Sequence, residues 1–255
     1  MRLVIKIGTS TLAHKTGKLN IRAFEELTKV ISNLKNSGIE VILVSSGAIG
    51  MGVGKIGLLK RPEDIPTKQA AAAIGQCELM YMYDKYFGEY HHTVAQMLIT
   101  ANDFEVEEKH VNLANTLERL LELGALPIVN ENDTVSTAEL SIGDNDTLSA
   151  LVAVDAKADM LILVSDIEGL YTADPHKDTD AKLISVVDNV DDVLALGDSA
   201  VSVLGTGGMA TKLQAGKIVT EAGIDMVIVN GAKPKLLYDI IEGKQVGTKF
   251  LGKRV

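Results

Sequence analysis

Short apolar runs alternate with amphipathic segments along this chain. The first apolar run covers residues 3–7, and residues 21–35 follow with apolar side chains at helical spacing. The apolar positions that share one face of this predicted helix are Ile21, Phe24, Leu27, Ile31 and Leu34. Gly38 then stands where a helix commonly ends, and residues 39–44 form a nearly continuous apolar run, typical of a strand buried on both faces. The pattern predicts a β-α-β unit.

The combination of a helix-ending glycine and an apolar strand recurs twice. Gly124 precedes residues 125–129, Gly223 precedes residues 224–229, and residues 160–164 form another run of the buried-strand type. Further predicted helices cover residues 68–87, 107–123, 147–156, 211–222 and 234–242. Strands that alternate with helices favour a parallel, doubly wound sheet, so we predict an α/β fold.

The length allows one large domain or two small lobes, because 255 residues can bury a sizeable core. No proline- or serine-rich linker separates the halves of the chain. We therefore predict a single domain over residues 1–255, with an amino-terminal lobe up to about residue 156 and a carboxy-terminal lobe from about residue 157. The lobes should share one sheet or a broad contact.

The charge balance narrows the classes of partner. Lysine and arginine number 25 against 34 aspartate and glutamate residues, which gives a net charge of −9. This is the wrong sign for a general binder of the phosphate backbone, and an aromatic content of 4% with no tryptophan leaves few surfaces for base stacking. We expect no nucleic acid partner, and a site for an anionic substrate must be locally positive.

The sequence also speaks against a membrane or secreted protein. No apolar run approaches the roughly 18–20 residues of a membrane helix, and the amino-terminal run has no small-residue cleavage site. The single cysteine, Cys77, can form neither an internal disulfide nor a thiolate-rich metal site, and it is expected in the core of its helix. We expect a cytoplasmic protein.

Lys6, within the first strand, is the first candidate for chemistry. It either snorkels toward an edge or aims its charge into a cleft, and the glycine at position 8 favours the cleft because it allows close approach of a bulky anion. Ser45 and Ser46 follow the second strand and open a predicted helix, where they either cap it or help to bind an anion. The G-x-G-x-x-G at residues 52–57 starts too far from the strand to bind a dinucleotide and is interpreted as a mobile loop.

Two clusters of acids and amides and one glycine-rich segment complete the candidates. Residues 130–133 (NEND) follow a strand and residues 143–146 (GDND) precede a helix, where such residues either form turns or bind an amino group, a basic side chain or Mg²⁺. Residues 205–212 (GTGGMATK) do not match a P-loop, yet their glycines and the closing Lys212 suit a phosphoryl group better than a flexible surface loop.

Taken together, these motifs resemble those of the amino acid kinase family, over essentially the whole chain. The segments that carry the resemblance are residues 4–10, 45–49, 128–133, 143–146, 169–175 and 205–212. Each segment is weak alone, but all six in this order are specific. The resemblance is greatest to members that phosphorylate the γ-carboxylate of L-glutamate with ATP. It implies a three-layer α/β/α sandwich with a mainly parallel sheet.

The resemblance also implies residue roles. Lys6 and Lys212 would flank the transferring phosphoryl group, with Asp146 holding the two lysines. Ser46, Asp133 and Asn145 would bind glutamate in the amino-terminal lobe. The nucleotide, in the carboxy-terminal lobe, would contact Lys6, Ser165, Asp166, Thr206, Gly207, Gly208, Met209, Ala210, Thr211 and Lys212. No residue is assigned to a metal, and Mg²⁺ is expected to accompany ATP.

Further expectations concern regulation and assembly. Many family members carry an additional carboxy-terminal PUA domain, and this chain is expected to be a short form without it. Members are often inhibited by proline through residues 50–66, and they form dimers or tetramers. Other hypotheses remain open: a family member with another acceptor, a noncatalytic sensing module, or an oxidoreductase that uses the glycines at 52–57.

Overall fold

The computed structural model describes residues 1–14, 16, 18–136, 145–173, 175, 178–195 and 208–254. The strands are β1 (Arg2–Ile7), β2 (Glu40–Ser45), β3 (Val94–Ile99), β4 (Leu126–Glu131), β5 (Met160–Ser165), β6 (Val186–Val187), β7 (Asp225–Asn230) and β8 (Thr248–Phe250). The helices are α1 (Thr9–Leu12), α2 (Ile21–Asn36), α3 (Ala48–Ile56), α4 (Ile65–Gly88), α5 (Ala101–Glu105), α6 (Glu107–Glu122), α7 (Asn145–Asp155), α8 (Val190–Ala195), α9 (Gly208–Glu221) and α10 (Leu236–Ile241).

The strands form one sheet in the order β3-β4-β2-β1-β5-β7-β8-β6. Among the strands of the described residues, every pairing is parallel except that of β7 with β8. The first strand of the chain lies near the middle of the sheet, between β2 and β5, where Lys6 is opposite Val44 on one side and Leu163 on the other. The mainly parallel sheet is the predicted one, and it runs through both halves of the chain.

Helices cover both faces of this sheet. Val4, Ile42 and Leu161 project into a core cluster that α6, α7 and α9 complete on one face. The side chains at the alternate positions of these strands, such as Leu3 and Leu43, point to the other face and pack in a second cluster with α2, α4 and α10. The predicted three-layer α/β/α arrangement is confirmed.

Local signals in the sequence set the element boundaries. The Asn20 side chain accepts a hydrogen bond from the Ala23 amide at 3.3 Å and so begins α2. Gly38, Gly124 and Gly223 all have left-handed backbone angles, with φ of +90°, +74° and +80°. These glycines end helices as predicted, since that conformation costs a glycine little.

The interpretation of residues 52–57 as a loop is wrong, because Gly52 through Ile56 lie in α3. Two glycines let α3 cross α4 at very short range: a Cβ added to Gly52 would lie 1.8 Å from the Ala71 carbonyl oxygen, and one added to Gly75 would lie 1.7 Å from that of Ala48. Gly52 and Gly75 are therefore needed for helix packing.

Other elements were not predicted. One of them is β3, an edge strand whose side chains differ in burial. Its sequence therefore shows neither a continuous apolar run nor a clean alternation of apolar and polar residues. The expectation for Cys77 is also wrong, because its side chain is exposed on α4. Throughout the part of the chain that the structure describes, no helix is long and apolar enough to cross a membrane.

Candidate active site

Lys6 lies near the carboxyl end of the central strand. Strand alternation puts its side chain on the same face as Val4, toward the layer that contains α7 and α9. The side chain is buried, and its Nζ lies 2.6 Å from Oδ1 of Asp146, the second residue of α7. Because burying an unpaired ammonium group is costly, this partner explains how a lysine is accommodated inside the sheet.

Lys212, on α9, binds the other oxygen of the same carboxylate. Its Nζ donates to Oδ2 of Asp146 at 2.9 Å and to the Gly208 carbonyl at 3.2 Å. The hydroxyl of Thr211 also donates to Oδ2, at 3.3 Å. Asp146 thus joins two ammonium groups from opposite ends of the chain, and the structure brings together the three residues that were predicted as a catalytic set.

The described residues of this cluster carry a net positive charge. Asp146 is completely buried, and burial alone would raise the pKa of its carboxyl, but the charges of Lys6 and Lys212 outweigh that effect and lower it. The carboxylate is therefore ionised at neutral pH. Two cations against one anion leave a surplus positive charge, which an anionic ligand can neutralise.

Asn145 ties the start of α7 to the ends of two strands. Its Nδ2 lies 2.9 Å from Oγ of Ser46, 2.9 Å from Oδ1 of Asn130 and 3.2 Å from the Ser45 carbonyl oxygen. The Ser46 amide in turn donates to the Ile7 carbonyl at 3.0 Å. The structure thus brings Asn145 and Ser46 together, beside the end of the strand that carries Lys6.

Behind this group lies a chain of amides in which Asn130 and Gln76 are buried and Gln96 is exposed; the sequence analysis missed the two glutamines. Asn130 donates to Oε1 of Gln76 at 2.9 Å, and Gln76 donates to Oε1 of Gln96 at 3.0 Å. On the same face of the sheet, the Ser45 hydroxyl lies 2.8 Å from that of Tyr83, which is also on α4. The signal that could have revealed Gln76 is its place shortly after the four alanines of α4, because a glutamine buried among apolar residues needs hydrogen-bond partners.

Asp133 follows the end of β4 and is only partly buried. Burial raises the pKa of its carboxyl, the negative charge of Glu131 raises it further, and Arg61 partly opposes both, with a resulting pKa of about 6. Glu131 itself accepts a hydrogen bond from the Ser136 hydroxyl at 2.7 Å. A cationic group that bound here would relieve the repulsion between the two acids.

The ends of β1, β5 and β7 meet at the same edge of the sheet. The Gly8 amide donates to the Val164 carbonyl at 3.1 Å, and the Gly231 amide donates to that of Ser165 at 2.7 Å. Ser165 ends β5, and its hydroxyl donates to Asp166 at 3.2 Å. Ser165 and Asp166, two of the residues predicted to contact the nucleotide, therefore lie beside the strand that carries Lys6, at the edge where ligands bind in open α/β sheets.

Only part of the glycine-rich segment can be located. Gly208, Met209, Ala210 and Thr211 form the first turn of α9, directly before Lys212. The remaining members of the predicted motifs, Gly143, Asp144, Asp174, Gly205, Thr206 and Gly207, lie outside the described residues. The first amides of a helix and a lysine one turn later together favour a phosphate ligand.

Comparison with known proteins places this geometry in a family. A model described as the amino acid kinase family matches residues 1–230. The chain belongs to the amino acid kinase family. A glutamate 5-kinase from Clostridium perfringens (strain 13 / Type A) is 49% identical over 258 residues, 99% of this chain and 96% of that protein. One from Clostridium acetobutylicum is 52% identical over 253 residues, 99% of this chain and 95% of that protein.

Solved structures show the same fold at low sequence identity. A carbamate kinase from Giardia lamblia bound to AMP-PNP has a TM-score of 0.70 and 19% identity, and the match covers 99% of this chain and 98% of that chain. The product complex of an isopentenyl phosphate kinase from T. acidophilum has a TM-score of 0.68 and 19% identity, over 98% of this chain and 100% of that chain. The amino acid kinase fold predicted from the motifs is therefore confirmed.

The raised pKa of Asp133 predicts a pH-dependent stability in this amino acid kinase. A carboxyl whose pKa is raised in the folded state is destabilising once it ionises, so stability should fall as the pH rises from about 4 through 6. Asp133→Asn should remove that loss. After allowance for solvent screening of a partly exposed group, we expect the variant to melt about 2–4 °C above the wild type at pH 7.5. At pH 4 the variant and the wild type should melt at the same temperature.

Asp64 provides a control of opposite sign. It begins α4, and hydrogen bonds from Thr67 hold the pKa of its carboxyl below the usual range. Asp64→Asn should therefore become less stable relative to the wild type as the pH rises, not more. Calorimetric melting of both variants without ligand tests the pair, and equal shifts for Asp133→Asn at the two pH values would contradict the electrostatic explanation.

Proposed function

We propose that this protein transfers the γ-phosphoryl group of ATP to the γ-carboxylate of L-glutamate, the first step of proline biosynthesis. An oxygen of the carboxylate attacks the γ-phosphorus, the bond to the bridging oxygen breaks, and ADP leaves with the bond electrons. The products are ADP and L-glutamyl 5-phosphate. The observation that carries the proposal is the pairing of Lys6 and Lys212 on one buried aspartate, in a chain about half identical to proteins named glutamate 5-kinase.

The main obstacle to this reaction is electrostatic, because an anionic carboxylate must approach an anionic phosphate. Lys6 and Lys212 supply two positive charges, and Asp146 fixes both ammonium groups before the substrates arrive. Charge that is held in place beforehand stabilises a transition state without reorganisation during the reaction. We propose that the two lysines flank the transferring group and neutralise its oxygens.

The reaction needs no general base. A carboxylate is already ionised at neutral pH, so the nucleophile carries its electron pair without losing a proton in the reaction. What remains is positioning and charge stabilisation, which are the terms that dominate phosphoryl transfer. A site built from lysines, amides and hydroxyls suits that requirement.

The two substrates are assigned to opposite sides of the lysine pair. In this proposal Ser46 and Asn145 hold glutamate near the reacting phosphate, and Asp133 binds its α-ammonium group. Ser165 and Asp166 contact the nucleotide, together with the segment that leads into α9 and ends at Lys212. The amino-terminal half of the chain would then bind the acceptor and the carboxy-terminal half the nucleotide.

Magnesium is treated as part of the Mg-ATP substrate. Within the ranges that the structure describes, no three histidine, cysteine, aspartate or glutamate side chains are grouped so that they could hold a metal ion. These residues therefore do not fit a metal site formed by the protein alone, and no step of the reaction is assigned to such a site. Mg²⁺ would enter with the phosphates it neutralises.

Trapping the acyl phosphate with hydroxylamine tests this proposal. The purified protein should form the hydroxamate when given ATP and L-glutamate, and should form little with L-aspartate or N-acetylglutamate; release of ADP with UMP is measured in parallel. Product with another acceptor would keep the family and the lysine roles but overturn the substrate. Absence of turnover with every acceptor would favour a noncatalytic sensing module, and saturable binding of NADH would revive a dinucleotide-binding function.

A further inference from the structure

Four side-chain amides form a continuous hydrogen-bonded chain that starts at the acceptor side of the site. Asn145, the first residue of α7, donates to Oδ1 of Asn130 at 2.9 Å. Asn130 in turn donates to Oε1 of Gln76 at 2.9 Å, and Gln76 donates to Oε1 of Gln96 at 3.0 Å. Because Asn130 and Gln76 are buried and Gln96 is exposed, the chain runs through the interior and ends at solvent.

Two backbone groups fix the direction of this chain, although the oxygen and nitrogen of an amide have the same shape. The Ser45 carbonyl can only accept, so the atom of Asn145 that lies 3.2 Å from it must be the nitrogen. The Glu131 backbone amide can only donate, so the atom of Asn130 that lies 2.9 Å from it must be the oxygen. Asn130 therefore turns its nitrogen toward Gln76, which must accept the hydrogen bond.

The same direction decides what the Ser46 hydroxyl can do. The nitrogen of Asn145 lies 2.9 Å from Oγ of Ser46, and since an amide nitrogen only donates, this oxygen accepts. The one hydrogen of the hydroxyl is then available to another acceptor. Ser46 is partly exposed, so a bound ligand can be that acceptor. With the Asn145 amide reversed, its oxygen would instead take up this hydrogen.

Gln76 holds the buried middle of the chain. It accepts from the Asn130 nitrogen, and a buried N–H group without an acceptor is costly, so without Gln76 the Asn130 amide would turn toward another acceptor and release Asn145. We propose that Gln76 is a positioning residue, which through Asn130 holds the Asn145 amide so that the Ser46 hydroxyl donates its hydrogen to the γ-carboxylate of the acceptor. The effect is indirect, because two other amides transmit it.

This inference rests on the proposed function, in which Ser46 holds glutamate. A hydrogen bond from a hydroxyl to a carboxylate corresponds to about a 10-fold change in binding. Ser46→Ala and Gln76→Met should therefore each raise the KM for L-glutamate about 10-fold, with the KM for ATP within about threefold of the wild type. Methionine is close to glutamine in size but lacks a strong acceptor atom.

A double-mutant cycle separates this role from a structural one. If Gln76 acts through the Ser46 hydroxyl, the removal of both groups costs little more than the removal of one. Ser46→Ala should then raise the KM for glutamate by less than about threefold in the Gln76→Met background. A purely structural role for Gln76 would leave the two effects independent, and the double variant would show a rise of about 100-fold.

Gln76→Glu is the second variant, and it keeps the test valid if Gln76→Met does not fold. A glutamate side chain keeps an oxygen opposite the Asn130 nitrogen in either protonation state, and the exposed Gln96 can turn its amide to donate. In this background Ser46→Ala should raise the KM by the full factor of about 10, whatever the added charge does to the single variant. Calorimetric melting checks that each variant is folded at the assay temperature.

Gln69→Met is the matched control on the same helix. The Gln69 side chain donates to the Ser136 carbonyl at 3.3 Å, outside the amide chain. This variant should keep its KM for glutamate within about threefold of the wild type. A rise equal to that of Gln76→Met would show that the loss of any glutamine from α4 is sufficient, and would overturn the inference.

Two results of the cycles would also overturn it: independent effects of Ser46→Ala and Gln76→Met, or the loss of the Ser46→Ala effect in the Gln76→Glu background. The proposed function is tested separately by hydroxamate formation with the wild-type protein. Absence of product with L-glutamate would contradict that function, and calorimetric binding of glutamate to the same variants would still measure the cycles. An active wild type with independent effects would contradict only the role of Gln76.

Discussion

Replacing Lys212 with methionine should lower kcat for phosphoryl transfer by about 10³-fold, the loss expected when a positioned charge is removed from a transferring phosphoryl group. Methionine keeps an apolar chain of similar length in the buried position, so packing changes little. Asp146 keeps Lys6 as a partner at 2.6 Å, so its carboxylate is not left without a counter-charge. The hydroxamate assay with L-glutamate measures the rate, and circular dichroism measures the fold.

The control for this prediction lies on the same helix. Lys217 is exposed and pairs with Asp191 at 2.8 Å on the surface. Lys217→Met should leave kcat unchanged and alter stability by no more than about 0.5 kcal/mol, because exposed ion pairs contribute little. A folded Lys212→Met variant that retained more than a tenth of the wild-type kcat would contradict the role assigned to Lys212.

Replacing Gly75 with alanine should destabilise the protein by about 3 kcal/mol, which corresponds to a fall of about 6–12 °C in the melting temperature of a chain of this size. The new Cβ would lie 1.7 Å from the backbone oxygen of Ala48. Neither backbone can yield without moving a helix, so α3 and α4 must separate. Since α3 begins at Ala48, directly after the acceptor-side residues, the KM for glutamate should rise as well.

Two other glycines on the same helices serve as controls. A Cβ on Gly50 of α3 would meet Thr9 at an ordinary 3.6 Å, and one on Gly88 at the end of α4 would meet nothing within 4 Å. Alanine at either position should be neutral or should stabilise the helix by up to about 1 kcal/mol. Equal melting temperatures for Gly75→Ala and Gly88→Ala would show that the close crossing is not required.

Much of the fold followed from local patterns. The strands that are buried on both faces gave continuous apolar runs, and the helix-ending glycines at 38, 124 and 223 marked where each run starts. Lys6 was found because a charge inside an apolar strand is costly to bury, and Lys212 because it closes a glycine-rich segment at the start of a helix. The family resemblance predicted that one carboxylate joins the two lysines, because no local pattern relates residues so far apart.

Other features depend on contacts that local patterns do not reveal. The glycines of α3 resemble a nucleotide motif, and only the position of Ala71 shows that Gly52 makes room for a second helix. The edge strand β3 lies half exposed, so its apolar periodicity is weak. Gln76 bonds to Asn130, 54 positions away along the chain, which is beyond the range of a periodicity argument.

Because β1 is central in the sheet, the carboxy-terminal half of the chain depends on the amino-terminal half to complete its strand pairing. Both β2 and β5 need β1 as a neighbour, yet it belongs to the amino-terminal half. During synthesis the amino-terminal half can assemble around its own first strand. The carboxy-terminal half, made alone, would leave the apolar strand β5 paired with β7 on one side only, and its other edge would be exposed and prone to aggregation. If the chain were divided between β4 and β5, reassembly of the two fragments would therefore depend on the amino-terminal fragment, which supplies β1 as the template for β5.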